Sequence, residues 1–376
     1  MTPTFTKDEE QVLKTVSDMP TVTMIFPFEP KMSLKHELDY ALKVAVGKVE
    51  RELTANYPAD AALPVIQKLH QLIRTLNFNT HKKSIALFVS PALEKVFYLD
   101  VPVEEKIIVD EGFEIRDLVY NKKENIQYLV MLLSGESSKT FLGNCTKFLL
   151  IKTNVPNNVH AFVRDMPEKV GKYSDPSHHK EVVLDGFLHH MDEGLSLILN
   201  AYPLPVFLMG TEKVLGHFSQ LTRHRKNIVG HIHGNFDEAT EAEIRSVLQP
   251  HIADWKRVKQ QNLVGKIQTA EDEMKLVCGM EDVWANSMRK NGRLLIIEKD
   301  YMYPIRHDSK EGMIIKAAVN PDRPFYIRDA VDIVIEKILE SGGDVEFVDK
   351  DVLKRYDHIA LIQYYSTGRR ENIHFM

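Results

Sequence analysis

Strands alternate with helices near the middle of the chain, and this alternation constrains the fold more than any other feature. The apolar strand 206–209 is followed by a helical segment that begins at Thr211. The strand 227–232 is followed by a long charged helix over about residues 238–261. Such alternation is typical of α/β proteins, in which helices cover a parallel or mixed sheet. We therefore expect an α/β fold with mixed sheets.

The residues before this stretch contain further strands and helices. β-branched and aromatic runs between polar residues or prolines predict strands, and apolar residues that recur every three to four positions predict helices. By these patterns the predicted strands are 21–28, 84–90, 95–99, one around Ile107, 126–133, 139–143 and 147–152, and the predicted helices are 38–53, 63–76 and one that begins at Pro176.

The C-terminal part continues the alternation. Its predicted helices are 271–289, which we expect to end at Asn291-Gly292, and 328–339, which Gly342-Gly343 closes. Its predicted strands are 293–298, 344–348 and 359–365. This part therefore reads as a small α/β domain of its own.

A chain of 376 residues is too long for one compact core. Polar stretches at 121–125 and 262–270 are the candidate boundaries. We therefore expect three domains: an N-terminal α/β domain over 1–122, a middle domain over 123–265 and a C-terminal domain over 266–376.

The charge balance limits the kinds of partner. With 48 basic and 53 acidic side chains, the formal net charge is −5. Net charge therefore does not hold this protein to nucleic acid, and any RNA contact must come from local basic patches. The two cysteines, Cys145 and Cys278, provide neither a disulfide framework nor a metal site. A polar N-terminus and the absence of a long apolar run predict a cytoplasmic chain without membrane contact.

The order of elements resembles that of the archaeo-eukaryotic class I peptide release factors and Pelota, and most closely their bacterial homologues. The match in the third segment consists of Gly-Met-Glu-Asp-Val at 279–283, Gly-Arg-Leu-Leu-Ile-Ile-Glu at 292–298 and Ser-Gly-Gly-Asp-Val-Glu-Phe-Val at 341–348. The second segment is similar in its opening hairpin and its Lys-Asn-Ile-Val-Gly-His-Ile-His-Gly stretch at 226–234. The resemblance implies a three-domain architecture whose C-terminal domain is kink-turn-RNA-protein-like.

Two motifs of that superfamily are missing from this sequence. The Gly-Gly-Gln loop, whose glutamine places the attacking water, corresponds to residues 166–177, which contain one glycine, Gly171, and no glutamine. The codon-reading Asn-Ile-Lys-Ser motif has only Asn-Thr-His-Lys-Lys-Ser at 79–84 as a candidate. We therefore expect neither stop-codon decoding nor peptidyl-tRNA hydrolysis by the usual chemistry.

The tetrapeptide Arg223-His224-Arg225-Lys226 is the densest cationic stretch of the chain. It lies in a loop before a strand, and arginine pairs well with phosphate through its planar guanidinium group. We interpret Arg223, Arg225 and Lys226 as contacts to ribosomal or transfer RNA. The alternative is an ordinary solvated loop.

A second basic group, His178-His179-Lys180, lies where the missing catalytic loop meets its helix. The amino end of a helix attracts anions, so these side chains suit RNA phosphate. A sharper hypothesis assigns them a metal-free endoribonuclease reaction, with one histidine as base, the other as acid and Lys180 as electrostatic stabiliser. The alternative is a set of solvated residues on the first turn.

The pair His231 and His233 shares one face of a strand, because side chains alternate with period two. Two imidazoles provide part of a zinc site, with Asp237 nearby, but such sites need three or four ligands. We predict no metal and no cofactor. Motifs for nucleotide binding and for common hydrolases are also missing.

Three functions follow as hypotheses. The first is a ribosome-binding or structured-RNA-binding factor of translation stress or rescue, which we expect neither to be an enzyme nor to bind DNA. The second is the endoribonuclease. The third is a non-catalytic interaction module whose C-terminal domain docks a translational GTPase, as the resemblance implies.

Overall fold

The computed structural model describes residues 5–13, 20–28, 35–78, 80, 82–110, 112–125, 127–144, 148–152, 158–159, 176–305 and 328–366. Contacts divide the chain into two compact units. Unit 1 combines residues 1–125 with residues 260–376, and unit 2 consists of residues 126–259. Unit 1 thus contains both terminal segments, and the division into three domains stays a prediction.

The N-terminal part of unit 1 is an antiparallel sheet with helices on both faces. Its elements are α1 (Lys7–Leu13), β1 (Thr21–Pro27), α2 (Lys35–Asn56), α3 (Ala59–Arg74), β2 (Ser84–Val89), β3 (Glu94–Leu99), β4 (Lys106–Asp110) and α4 (Arg116–Glu124). The strands lie in the order β3-β2-β1-β4. On β1, Val22, Met24 and Phe26 alternate onto one face and pack against α2 and α3. Ile25 lies on the other face, in a second core.

Unit 2 is a mixed five-stranded sheet between helices. Its elements are β5 (Tyr128–Leu133), β6 (Ser138–Gly143), β7 (Phe148–Ile151), α5 (Pro176–Ala201), β8 (Val206–Gly210), α6 (Glu212–Leu221), β9 (Ile228–His233) and the first part of α7 (Glu241–Asp272). The strand order is β7-β6-β5-β8-β9. Strands β5, β8 and β9 are parallel, whereas β6 is antiparallel to both of its neighbours. The predicted mixed sheet is confirmed.

The two faces of this sheet are covered by different helices. Helices α5 and α6 supply Phe187, Leu195 and Phe218 to one core. Helix α7 supplies Ile244 and Leu248 to the core on the other face. The loop between α6 and β9 therefore lies at one end of the parallel strands, beside α5.

The C-terminal part of unit 1 is a second mixed sheet. Its elements are β10 (Leu276–Cys278), α8 (Met280–Met288), β11 (Gly292–Glu298), β12 (Pro304–Ile305), β13 (Arg328–Asp329), α9 (Ala330–Glu340), β14 (Asp344–Val348) and β15 (Ile359–Gln363). The main sheet has the order β10-β15-β11-β14, and β11 and β14 are parallel. No described helix is both long and apolar enough to span a bilayer.

Two local predictions are wrong, whereas the candidate boundaries at 121–125 and 262–270 stay predictions. The long helix predicted to end at about residue 261 continues to Asp272, because Leu263, Ile267 and Ala270 are buried against the C-terminal sheet. The helix predicted over 271–289 is interrupted by β10, which pairs with β15.

Backbone conformations explain these interruptions. Helix α7 ends just before Met274, which has a φ of 55°, and Gly279 has a φ of 76° where α8 begins. The left-handed residue after α8 is Lys290, with a φ of 56°, and not the predicted Asn291-Gly292. Gly342, with a φ of 81°, follows α9 as predicted.

A buried ion pair joins the two sheets of unit 1. Arg116, at the start of α4, is 3% exposed. Its Nη1 contacts Asp329 Oδ2 at 3.3 Å, and its Nη2 donates to the carbonyls of Glu298 at 3.3 Å and Lys299 at 2.5 Å. The carboxylate of Asp332 accepts the backbone N–H groups of Ile115 at 2.8 Å and Arg116 at 2.7 Å. These bonds fix the N-terminal segment on the C-terminal one.

We expect Arg116→Ala to destabilise unit 1 by about 3–5 kcal/mol, because it leaves Asp329 buried without its cation. The measurement is urea unfolding followed by Trp284 fluorescence in a Trp255→Phe background. Arg355→Ala removes an exposed arginine of the same unit and should change the free energy of unfolding by less than about 0.5 kcal/mol. Equal losses in the two variants would contradict the role of Arg116.

The same interface contains carboxyl groups with altered titration. Burial, followed by the negative charges of Asp332 and Asp329, raises the pKa of Glu114 well above its ordinary value. Burial likewise raises the pKa of Asp332, although two backbone N–H groups oppose the shift. A raised carboxyl pKa means that the folded state retains a proton that the unfolded state releases. This contribution to stability is full below the ordinary pKa and is lost as the pH rises through the folded pKa.

We therefore expect the free energy of unfolding of unit 1 to fall as the pH rises from about 5, just above the ordinary carboxyl pKa, towards about 8. Glu114→Gln should be more stable than the wild type at the upper end and show a shallower slope, since its amide stays neutral. The measurement is urea unfolding at several pH values with the Trp284 reporter. A slope that is identical in the wild type and Glu114→Gln would rule out Glu114 as its source.

Candidate nucleic-acid interface

The cationic residues 223–226, here called the basic loop, connect α6 to β9. Arg223, Arg225 and Lys226 are exposed, and His224 is half-buried. The connection is short, since α6 ends at Leu221 and β9 begins at Ile228. Its three permanent cations therefore lie close together on the surface of unit 2.

A buried carboxylate under the loop fixes its conformation. Asp192 of α5 is 1% exposed. It accepts the hydroxyl of Thr222 at 2.5 Å, and it accepts Nε of Arg223 at 3.2 Å and the backbone N–H of Arg223 at 3.4 Å. A buried carboxylate needs such partners, because an unpaired charge in the interior is strongly destabilising. The start of the basic loop is thus held by side-chain and backbone bonds together.

The rest of the loop is also held from within unit 2. Nη2 of Arg225 donates to the carbonyl of Gln220 at 2.7 Å, and the backbone N–H of Asn227 donates to the carbonyl of His224 at 2.9 Å. The side chain of Arg223 remains 70% exposed although it pairs with Asp192. The loop is therefore ordered while its cations face solvent.

The neighbouring Ser196, His224 and Asp192 do not form a catalytic triad. Nε2 of His224 contacts Oγ of Ser196 at 2.6 Å, and Oδ1 of Asp192 lies 4.0 Å from the same nitrogen. A triad needs the carboxylate on the other ring nitrogen. Oγ of Ser196 also donates to the carbonyl of Asp192 at 2.9 Å. Ser196 therefore positions His224 and is not an activated nucleophile.

The second predicted basic group lies on the first turns of α5. Residues 178–180 are helical, as predicted, but their side chains lie outside the described residues. Lys180 and Asp192 are 192 − 180 = 12 positions apart on α5, which corresponds to roughly 18 Å along the helix axis. The backbone thus places His178, His179 and Lys180 well away from the residue that holds the basic loop. Two stretches lack the superfamily motifs; residues 79 and 81 of the stretch 79–84 and residues 166–175 of the stretch 166–177 lie outside the described residues.

The two histidines of β9 are exposed at the edge of the sheet. Nε2 of His231 lies 3.0 Å from Oγ of Ser219. Partial burial, followed by the charge of His233, lowers the pKa of His231. His231 therefore adds little positive charge at neutral pH. No group of three or more His, Cys, Asp or Glu side chains among the described residues is arranged to hold a metal ion.

Asp192 is the residue of this site that sequence reasoning missed. Its signal was the position of an acidic side chain next to Met191 on the apolar stripe of α5. An acidic residue there is buried, and burial requires donors from a neighbouring segment. The sequence alone does not show which segment supplies these donors, because that depends on how α5 packs against α6.

Residues 127–291 match the model of the bacterial archaeo-eukaryotic release factor family 3. This stretch of the chain is release-factor-like. The matched stretch contains the described part of unit 2 and extends through α8. The resemblance inferred from the sequence is confirmed. Among curated proteins, none matches the chain.

Solved structures of termination factors are also similar to this chain. An archaeal translation termination factor, aRF1, is 14% identical, with 95% of this chain and 98% of that chain covered and a TM-score of 0.27. Dom34 of S. cerevisiae, described as a translation termination-like factor that interacts with Hbs1, is 12% identical over 77% of this chain and 76% of that one, with a TM-score of 0.41. Archaeal Pelota in a ribosome-bound model with ABCE1 is 10% identical over 95% of this chain and 92% of that one, with a TM-score of 0.41. Identities and scores this low carry no argument about function.

We expect Asp192→Ala to loosen the basic loop and to destabilise unit 2 by about 2 kcal/mol, because three donors lose a charged acceptor. Hydrogen exchange measured by mass spectrometry on peptides that cover residues 218–233 should show faster exchange in this variant. The matched control is Asp185→Ala on the same helix, which removes an exposed carboxylate that pairs with His217 at 3.2 Å. Its peptides over residues 218–233 should exchange as in the wild type, and equal acceleration in both variants would contradict the role of Asp192.

Proposed function

We propose that this release-factor-like protein binds the ribosome or structured RNA as a translation-associated factor of the cytoplasm. Its role is in stress or ribosome rescue, and it acts without standard peptidyl-tRNA hydrolysis. The observation that carries the proposal is the basic loop of unit 2, which the buried Asp192 holds in place. This loop lies in the part of the chain that matches the release factor family.

The chemistry of the loop suits a phosphate backbone. Guanidinium groups bind phosphate through paired N–H donors. Because Asp192 and the Gln220 carbonyl already fix the loop, its cations lose less conformational entropy on binding than those of an unfixed loop. The exposed Arg225 and Lys226 carry the contact, and Arg223 adds charge from its place beside Asp192.

The absence of hydrolysis is proposed from the sequence. Residues 166–177 contain no glutamine to place a water molecule, and a single glycine, Gly171, where close backbone approach needs two. A factor with this composition binds where a release factor binds but leaves the ester bond intact. The proposed factor therefore binds the ribosome without catalysing hydrolysis of the ester bond.

Two further assignments stay predictions. The metal-free endoribonuclease depends on the side chains of His178, His179 and Lys180, which lie outside the described residues. Docking of a translational GTPase on the C-terminal segment follows from the superfamily resemblance. The described contacts of unit 1 favour no particular surface for that partner.

We expect the double charge reversal Arg225→Glu with Lys226→Glu to weaken ribosome co-sedimentation at low salt by at least about tenfold. In the wild type, association should fall steeply as the salt concentration rises. The slope of log affinity against log salt should drop by about one for each phosphate contact removed. Both quantities come from sedimentation at a series of salt concentrations.

The control is Lys213→Glu, which reverses an exposed lysine of α6 outside the basic loop. Its ribosome association should stay within about twofold of the wild type. Failure of the wild type to sediment with ribosomes at low salt would overturn the proposal. Equal weakening by Lys213→Glu would show that overall charge, and not the basic loop, determines binding.

A further inference from the structure

The imidazole of His224 in the basic loop is held by Ser196 through one ring nitrogen. Nε2 of His224 lies 2.6 Å from Oγ of Ser196. A serine hydroxyl has a single hydrogen, and Ser196 donates its hydrogen to the carbonyl of Asp192 at 2.9 Å. Oγ of Ser196 is therefore the acceptor in its contact with His224. It follows that Nε2 of His224 carries a hydrogen.

The position of the Asp192 carboxylate favours the same tautomer. Its Oδ1 lies 4.0 Å from Nε2 of His224, and no other described carboxylate lies within that distance of either ring nitrogen. A negative charge on this side of the ring favours a nitrogen that carries hydrogen over one that presents a lone pair. Neutral His224 therefore has its hydrogen on Nε2 and its lone pair on Nδ1.

Nδ1 of His224 is the atom at which the ring takes up a second proton. It has no hydrogen-bond partner among the described residues, and it is not one of their buried side-chain atoms that lack a partner. Water therefore reaches Nδ1, although the side chain is only 20% exposed. Protonation of Nδ1 breaks no described bond, because Nε2 keeps its hydrogen and its contact with Ser196.

The charged groups around His224 come from α5 and from the basic loop itself. Helix α5 presents the carboxylate of Asp192, and the loop contributes its three permanent cations. The last turn of α6, residues 218–221, and the first half of β9, residues 228–230, contain no titratable side chain. Asp192 favours the imidazolium, whereas the neighbouring cations oppose it. A phosphate that binds these cations removes that opposition.

We propose that His224 is a fourth phosphate contact of the basic loop, and that this contact forms as the pH falls. The inference rests on the proposed function, since it concerns the same RNA interface. Nδ1 takes a proton from solvent, and the resulting N–H donates to a phosphate oxygen. Because bound phosphate favours the imidazolium, RNA binding and proton uptake strengthen each other. The affinity for RNA therefore rises as the pH falls from about 8 to about 6, the range in which histidine ordinarily changes its charge.

Ribosome co-sedimentation of the full chain over a salt series at about pH 6 and at about pH 8 tests the proposal. The wild type should bind at least about threefold more tightly at the lower pH, and its slope of log affinity against log salt should be steeper there by about one. His224→Gln keeps an uncharged donor beside Ser196 but takes up no proton, so this difference should be lost. If this variant fails to fold by circular dichroism, His224→Asn replaces it with the same expected loss.

The matched control is His217→Gln, which removes a histidine of α6 that pairs with Asp185 outside the basic loop. This variant should keep the wild-type difference between the two pH values. Nitrogen NMR of the chain with isotope-labelled histidine gives a second measurement, which does not depend on RNA. At about pH 8 it should show hydrogen on Nε2 of His224 and none on Nδ1. The signals of His224 are those that its variant lacks.

The opposite tautomer of His224 would overturn the inference. A pH dependence of the wild type that the His224 variant shares in full would also overturn it, and so would a loss of that dependence in His217→Gln. These results leave the proposed function in place, provided that the wild type sediments with ribosomes at low salt. If the wild type does not sediment at either pH, the proposed function fails and the inference fails with it.

Discussion

A charge taken out of water must be met by charges and dipoles inside the protein, and both units of this chain are organised around that requirement. Moving an ion into the interior costs several kcal/mol unless its partners are in place. In unit 1 the ion is Arg116, which is met by Asp329 and by two backbone carbonyls. In unit 2 it is Asp192, met by Thr222 and Arg223. Each buried charge fixes two segments that are far apart in the sequence.

The two buried charges, Arg116 and Asp192, have different consequences. Arg116 connects the terminal segments of the chain, so its partners specify how the N-terminal sheet meets the C-terminal one inside unit 1. Asp192 connects a long helix to a surface loop, so its partners specify where exposed cations lie. The first charge specifies how two segments pack, whereas the second orders a surface loop that carries exposed cations. Both effects come from the same energetic rule.

The sequence predicted most strands and the helices with clear apolar stripes, because those patterns are local. It predicted β1, the β5–β6 hairpin, β8 and β14, and it predicted that α5 begins at Pro176. It failed where tertiary contacts override local pattern. Residues 276–278 form a strand only because β15 offers them a partner, and 262–270 stay helical because one side of that stretch is buried.

The candidate site was likewise predicted from the sequence only in part. Arg223, Arg225 and Lys226 were found from their density of charge, which is a property of the sequence. Their fixation by Asp192 was not, since it depends on a contact between residues thirty-one positions apart, 223 − 192 = 31. A run of charges in a sequence leaves open whether it is a mobile loop or an ordered surface. The buried partner is the observation that separates these two cases.

The net charge of −5 makes it important for RNA binding whether the basic loop is mobile or ordered. An acidic protein is repelled by a phosphate backbone at long range, within the limits of screening. Nonspecific attraction therefore contributes little, and binding must come from cations whose positions match the phosphates. A loop held by Asp192 meets that condition, whereas the same residues on an unfixed chain would lose affinity to ordering. In the proposed RNA interface, the ordered cations of the basic loop thus take the place of the excess positive charge of basic nucleic-acid-binding proteins.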